Sequence, residues 1–262
     1  MSINLIQSII LGTIEGLTEF LPISSTGHLI IAQKLMGMTE INEFFTVVVQ
    51  SGAIFAAIIY FRERIINIFT KHQNILINLG IGLLPALILG FLFRKSLNQL
   101  ENSVPAIIVT TILGGIFFYY IEQKYKSQAT KTIETATRND ILTVGFFQAL
   151  ALIPGVSRSG VTITGGIFRK IKIQDSIEIS FIMGIPLLLI ATAYKILTIS
   201  KDISSELLLN TAIGTIFSFG VGILGIKLTL GLVTKYGFKP FMIYRIGLGL
   251  FLILALSQNW IK

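Results

Sequence analysis

Four uncharged stretches, Phe44 to Phe61, Gln73 to Phe93, Asn102 to Ile121 and Leu207 to Ile226, constrain this chain more than any other feature. Each is long enough to cross a bilayer, which takes roughly 17 to 25 residues per helix. Two more, Ile179 to Tyr194 and Ile246 to Ile261, fall slightly short before Lys195 and Arg245, and snorkelling of those basic side chains would extend both. Charged residues make up only 13% of the chain, against about 25% in an average soluble domain. A soluble globule could not cover its surface with so few, so the chain is expected to be an all-α polytopic integral membrane protein, with residues 1–262 forming one membrane domain.

Composition also removes several chemistries. There is no cysteine, which excludes disulfides, thiolate metal sites and cysteine nucleophiles. The first basic residue is Lys34, so a cleaved leader is not expected and the amino-terminal segment should remain. The net charge of +8 is scattered through short inter-helix loops with no aromatic-rich module beside it, which argues for membrane orientation and against nucleic acid as a partner.

Two segments fit a full span poorly. Ile3 to Ile14 is followed by Glu15, Glu19 and Pro22, and the apolar pattern resumes only at "HLIIAQKL". From Ile141, a second apolar stretch reaches Pro154, Gly155 and Arg158 before continuing to Phe168. Proline and glycine favour a break in each, and non-helical backbone at membrane depth is tolerated only when buried or lining a cavity. "LPISSTGHLI" aligns with "IPGVSRSGVTI" if one residue is inserted in the second. Each half of the chain therefore reads as a re-entrant broken helix pair followed by three transmembrane helices, residues 1–125 approximately and 138–262 approximately. If each hairpin returns to the face it entered, the halves form an inverted-topology repeat, with a site expected at their interface.

Under this scheme one side collects most of the basic residues, among them Arg62, Arg64, Lys71, Lys131, Arg138, Arg169 and Lys170, while the other holds mainly Arg94, Lys95, Lys201 and Lys262. The positive-inside rule makes the richer side cytoplasmic, so both termini and the mouth of the first hairpin are expected to face outward.

The broken segments carry the chemistry. Glu15 and Glu19 share a helix face at i,i+4 spacing, which suits a divalent cation or a general acid/base pair, although a polar helix surface would show the same spacing. Ser24, Ser25, Thr26 and Gly27 precede a helix start near His28; they can cap it, and the exposed N–H groups and helix dipole there also attract phosphate. His28 is either a satisfied core histidine or a proton-transfer group, and His72 reads as a solvated loop residue. In "PGVSRSGVT", Arg158 offers a planar donor fork for phosphate oxygens, flanked by Ser157, Ser159, Gly160 and Thr162. Acid, hydroxyl, imidazole and guanidinium groups together are the parts for cleaving a phosphate ester or anhydride inside a membrane.

At these residues the sequence resembles the bacterial undecaprenyl pyrophosphate phosphatase family, first associated with bacitracin resistance. Both "EGLTEFLPISSTGHL" and "PGVSRSGVT" are similar to that family's signatures, in the same order. The resemblance implies an integral membrane hydrolase of the bacterial inner membrane that converts undecaprenyl diphosphate to undecaprenyl phosphate and inorganic phosphate, recycling the carrier for peptidoglycan synthesis. It implies interlocked inverted repeats and dependence on a divalent cation, with Glu15 and Glu19 matching the family's acidic pair; family members have been seen as homodimers. In the mechanism expected here, Glu15 and Glu19 hold that cation, Mg²⁺ or Ca²⁺, through oxygen ligands. Carried over by motif position, Ser25 and His28 match the catalytic serine and histidine and Arg158 the phosphate-binding arginine. Ser24, Ser157, Ser159 and Thr162 match supporting hydroxyls, and Gln50 lies in a further family-like stretch, "VVVQSGAI". One departure stands before it: Thr46 in "FTVVVQ" replaces an expected glutamate, with Glu43 one turn away.

Three attackers on phosphorus stay open: Ser25, His28 or an activated water. A transporter or flippase of an anionic lipid is the rival from another class, since inverted repeats with broken helices are transporter features. An intramembrane protease gives no reason for the arginine-serine loop.

Overall fold

The computed structural model describes residues 3–38, 42–100, 103–198, 203–258 and 260, with the side chain of Asn98 excepted. Lys201 and Lys262, counted above on the outward side, lie outside the described residues, as does Asn102 at the start of the third stretch.

Among the described residues, six helices are long and apolar enough to cross a membrane. They are α3 (Glu43–Tyr60), α5 (Gln73–Leu100), α6 (Val104–Tyr125), α9 (Ile173–Thr198), α10 (Ser205–Tyr236) and α11 (Lys239–Ser257). The two broken segments form helix pairs, α1 (Leu5–Phe20) with α2 (Ser25–Leu35), and α7 (Arg138–Ala149) with α8 (Arg158–Phe168). A short helix, α4 (Arg62–Lys71), stands where the sequence suggested only a basic loop; it buries Ile68 beside Ile75, Ile133 and Ile171.

Three sequence expectations need correcting. Glu15 and Glu19 do not interrupt the first helix: α1 runs through both, because its carboxylates face inward and the break comes only after Phe20. Arg245 does not end a span by snorkelling, since α11 begins at Lys239 and Arg245 is fully buried within it. The one-residue insertion between the two broken segments is also absent. Asn4 and Thr137 are N-caps with reciprocal capping boxes, Ser24 and Ser157 are N-caps at φ of 74° and 77°, and Gly37 and Lys170 take positive φ after the second helix of each pair. All three pairs keep one offset of 133 residues (137 − 4, 157 − 24, 170 − 37). Pro22 and Pro154 are therefore one position out of register, within the turns, where a 3-10 turn at Leu150–Leu152 tightens the second pair.

Part of the packing between halves is reciprocal, although α3 packs far more closely on α10 than α9 does on α5. Helix α1 lies along α10, and α7 lies along α5, while α3 meets α9 and α6 meets α11. Small residues make the first two contacts close: a Cβ at Gly12 would land on the Gly214 carbonyl, and one at Gly145 on the Gly82 carbonyl. In lipid, where apolar burial gives little drive, such backbone approach is what holds helices together.

At one end of the bundle the polar loops are knitted together. Arg64 bonds Glu178 and, at 2.5 Å, Glu134. Lys131 and Arg169 converge on the buried Asp140 at 2.8 and 2.7 Å. Arg64, Lys131 and Arg169 thus gather at a common end, as the basic-side grouping expected.

Candidate active site

The tips of the two helix pairs meet inside the protein. Each second helix starts from a serine whose left-handed backbone costs about 1–3 kcal/mol for a non-glycine residue. Each serine is fixed by a bond from its own helix: Ser24 Oγ accepts from Gly27 N at 3.4 Å, and Ser157 Oγ from Gly160 N at 3.2 Å. That conformation lets the chain reverse within a few residues and turns both helix N-termini toward the same space.

Between them lies a cavity of about 180 Å³, lined by Glu19, Ser24, Ser25, Thr26, Gln50, Gln148, Ser157 and Arg158, with Leu187, Leu188 and Ala191 of α9 along one wall. Glu19 is its centre. One carboxylate oxygen accepts from Ser25 Oγ at 2.5 Å and the other from Arg158 Nη2 at 2.7 Å, so residues from both hairpins are joined through one side chain. Arg158 also donates through Nη1 to the Ser180 carbonyl at 3.0 Å, while its Nε is buried without a protein partner. Gly184 makes room for this pose, because a Cβ there would collide with the guanidinium.

Other candidates have different surroundings. Glu15 is fully buried, and neither carboxylate oxygen has a hydrogen-bond partner; it is not among the residues lining the cavity. Ser159 Oγ donates to the Leu21 carbonyl at 3.0 Å, stitching one hairpin to the other. Thr162 Oγ1 donates to the Arg158 carbonyl at 2.7 Å. Gly160 and Gly27 permit close packing, against the Phe118 ring and the Ile107 side chain. These residues support the walls and do not line the cavity.

His28 is turned away from Ser25. Its Nδ1 bonds the Ser24 carbonyl and its Nε2 the Tyr244 hydroxyl, both at 2.7 Å, and it faces a separate, largely apolar cavity of about 700 Å³ with Leu17, Leu21, Phe241 and Tyr244. The hydroxyl of Ser25 therefore meets a carboxylate, not the imidazole. Thr46, where a glutamate was expected, is occupied structurally: Gln33 Nε2 donates to its hydroxyl at 3.3 Å and it donates to the Asn42 carbonyl at 2.9 Å. Glu43 is exposed, so neither residue brings a carboxylate to the cavity.

Two residues of the site escaped the sequence reading. Gln148 lines the cavity with a buried amide nitrogen that has no partner, and it is the counterpart of Glu15 at the 133-residue offset. The motif around Arg158 could have been extended leftward to include it. Arg245 lies behind both turns, and nothing in the linear pattern points there.

This chain is similar along nearly its whole length to curated proteins of one kind. The Undecaprenyl-diphosphatase of Bdellovibrio bacteriovorus is 36% identical over 96% of this chain and 95% of that protein. The protein of the same name from a Sulfurovum species is 38% identical over 97% of this chain and 100% of its own length. The one from Persephonella marina is 38% identical, covering 96% and 98% respectively. The family described as Bacitracin resistance protein BacA matches residues 8–251, which takes in the residues lining the cavity and all of the helices but the first turn of α1 and the last residues of α11, and the chain belongs to that family.

Proposed function

We propose that this protein is a multi-pass membrane phosphatase that hydrolyses undecaprenyl diphosphate to undecaprenyl phosphate and inorganic phosphate, and thereby contributes to bacitracin resistance. The observation that carries the reading is the relay from Ser25 through Glu19 to Arg158, a hydroxyl, a carboxylate and a guanidinium from two hairpins joined at one cavity. The names of its relatives supply the substrate.

In this reading the diphosphate head enters the cavity between the tips while the prenyl tail stays among membrane lipids. Arg158 Nε, which lacks a protein partner, donates to an oxygen of the phosphoryl group in transfer, where positioning and electrostatics dominate catalysis. The Ser25 oxygen attacks the terminal phosphorus as its proton passes to Glu19. The bond from that phosphorus to the bridging oxygen breaks, undecaprenyl phosphate leaves, and a phosphoserine remains. Glu19, having returned its proton to the departing or a solvent oxygen, then takes one from the water that attacks the phosphoserine; the bond from phosphorus to Ser25 Oγ breaks, inorganic phosphate leaves, and the proton passes back from Glu19 to Ser25. His28 holds the first turn of α2 through its Ser24 bond and takes no proton from Ser25.

A divalent cation is part of the proposal. The two partnerless oxygens of Glu15, one helical turn from Glu19, suit a positive ion, and Mg²⁺ characteristically takes one or two carboxylates with the rest of its shell from water and substrate phosphate. Among the described residues no group of three or more acidic or histidine side chains could hold a metal ion, and the reading assigns the ion to the pair Glu15 and Glu19. When bound, the ion would offset charge on the diphosphate. The homodimer is carried by the resemblance to the family.

Purified protein in detergent, with no membrane gradient, should release phosphate from undecaprenyl diphosphate with Mg²⁺ or Ca²⁺ present and stop when a chelator is added. No release with cation present would favour the transporter reading, and release that survives chelation would remove the cation.

We place the site on the extracytoplasmic side of the inner membrane. The lining residues Gln50, Leu187, Leu188 and Ala191 fall in the halves of α3 and α9 that the positive-inside orientation directs outward. Because the chain has no cysteine, a single Leu35→Cys at the exposed end of α2 can be labelled selectively. An impermeant maleimide should reach it from outside intact cells, and labelling only after permeabilisation would reverse the orientation.

A further inference from the structure

Among the described residues Arg245 is the largest fully buried side chain, with 0% exposure, and it makes no ion pair. A buried guanidinium without a carboxylate is expensive unless its donors are met in good geometry. Here they are met by main-chain carbonyls. Nε donates to Thr111 O at 2.8 Å, Nη1 to Pro22 O at 3.2 Å, and Nη2 to Thr110 O and Gly155 O, each at 2.9 Å. The Phe118 ring lies 5.1 Å from the guanidinium carbon, adding a cation–π contact. Gly114 leaves the space, since a Cβ there would come within 2.6 Å of Nη2.

The destinations of these bonds matter more than their number. Two anchor Arg245 of α11 to α6. The other two go into the turns on either side of the cavity, Pro22 in the first hairpin and Gly155 in the second. Thr110 reinforces the second turn from the same helix, its hydroxyl donating to Pro154 O at 2.6 Å.

We infer that Arg245 is a positioning residue: it ties the two hairpin turns together from behind, and so sets Ser25 and Glu19 of one against Arg158 of the other. Only arginine suits the task, because its rigid planar fork can reach carbonyls on three separate elements at once, whereas a lysine ammonium is a single point of donation. Without the tie, the direct links across the tips are Ser159 to Leu21 O and the Arg158–Glu19 pair itself. The pair that does the chemistry would then also have to hold the hairpins in register.

The inference rests on the phosphatase reading, and its test separates the two. Arg245→Lys keeps the charge and loses the fork. In folded, purified R245K, kcat for undecaprenyl diphosphate should fall by about tenfold or more while KM changes little, since misplacement of reacting groups acts on the transition state. Spin labels at Leu35→Cys and Leu150→Cys, both exposed, should report a broader distance distribution in R245K than in the wild-type background. A residue that merely staples α11 to α6 would lower the folded fraction but leave the kcat of folded molecules and the distance between hairpins unchanged, and that result would overturn the inference.

If R245K does not fold, Gly114→Ala tests the same tie with the arginine kept, because its methyl group would displace Nη2 from the Thr110 and Gly155 carbonyls. A selective loss of kcat in G114A supports the inference and wild-type kcat overturns it. Absence of phosphate release by the wild type would remove the phosphatase reading, whereas an active wild type with unaffected R245K would remove only the role of Arg245.

Discussion

Glu19→Gln should reduce phosphate release from undecaprenyl diphosphate, measured per folded molecule, by roughly 10²–10⁴-fold, the range that a positioned proton acceptor contributes, and should also lower thermal stability, because Arg158 loses its buried carboxylate partner. The amide is nearly isosteric and can still accept one bond. It cannot take the Ser25 proton, and it presents a neutral partner to Arg158. A glutamine variant retaining more than about a tenth of wild-type kcat would show that Ser25 gives its proton elsewhere. His28 is the comparison: with Nδ1 and Nε2 committed to Ser24 O and Tyr244, its removal should act through the loop conformation and leave the Ser25–Glu19 bond available.

The second large effect is expected at Arg158. Changing it to lysine should lower kcat by about 10²–10³-fold, comparable to removing a preorganised donor to a developing oxyanion. The arginine reaches Glu19 and the Ser180 carbonyl from two nitrogens and keeps a third, Nε, without a protein partner, and lysine cannot reproduce three directions at once. Gly184→Ala is a milder probe of the same geometry. Its methyl group would push the guanidinium aside without altering charge, and a displacement of about 1 Å can cost up to about 10²-fold in rate. Single-turnover phosphate release by both variants, measured beside their thermal transitions, checks the pair. Full activity in G184A would mean that the observed pose of Arg158 is not the one used in catalysis.

Much of this site could be read from the chain before its structure. Long uncharged runs announced the spans because a bilayer accepts little else, and the breaks at Pro22 and Pro154 stood out against that background. Glu19, Ser24, Ser25, Thr26, Ser157 and Arg158 line one cavity because they occupy two short motifs whose local geometry is set by serine caps, whereas Glu15, His28, Ser159 and Thr162 of the same motifs do not line it. What escaped were relations between distant segments. Arg245 next to an apolar run looks like the end of a span, and only the carbonyls of Pro22 and Gly155, 223 and 90 residues away, give it a reason to be buried. The direction of His28 depends on Tyr244, 216 residues on. Gly184 looks like any glycine in a membrane helix until Arg158 is seen lying across it. The prolines drew the alignment one position out before the turns, whereas its serines, Ser24 on Ser157, already stood at the offset at which the caps repeat.

The reciprocal packing of α1 on α10 and α7 on α5 has a consequence for how the protein is made. Synthesis runs at roughly 5–20 residues per second, so α1 emerges long before its main neighbour, which ends at Tyr236. Throughout that interval the buried Glu15 and Glu19 have no finished surroundings, and the first hairpin must wait at the membrane, shielded by lipid headgroups, water or the insertion machinery. Completion of the second half is therefore what admits the first to its final depth, and a ribosome stalled before α10 should leave a first half that is protease-accessible and inactive.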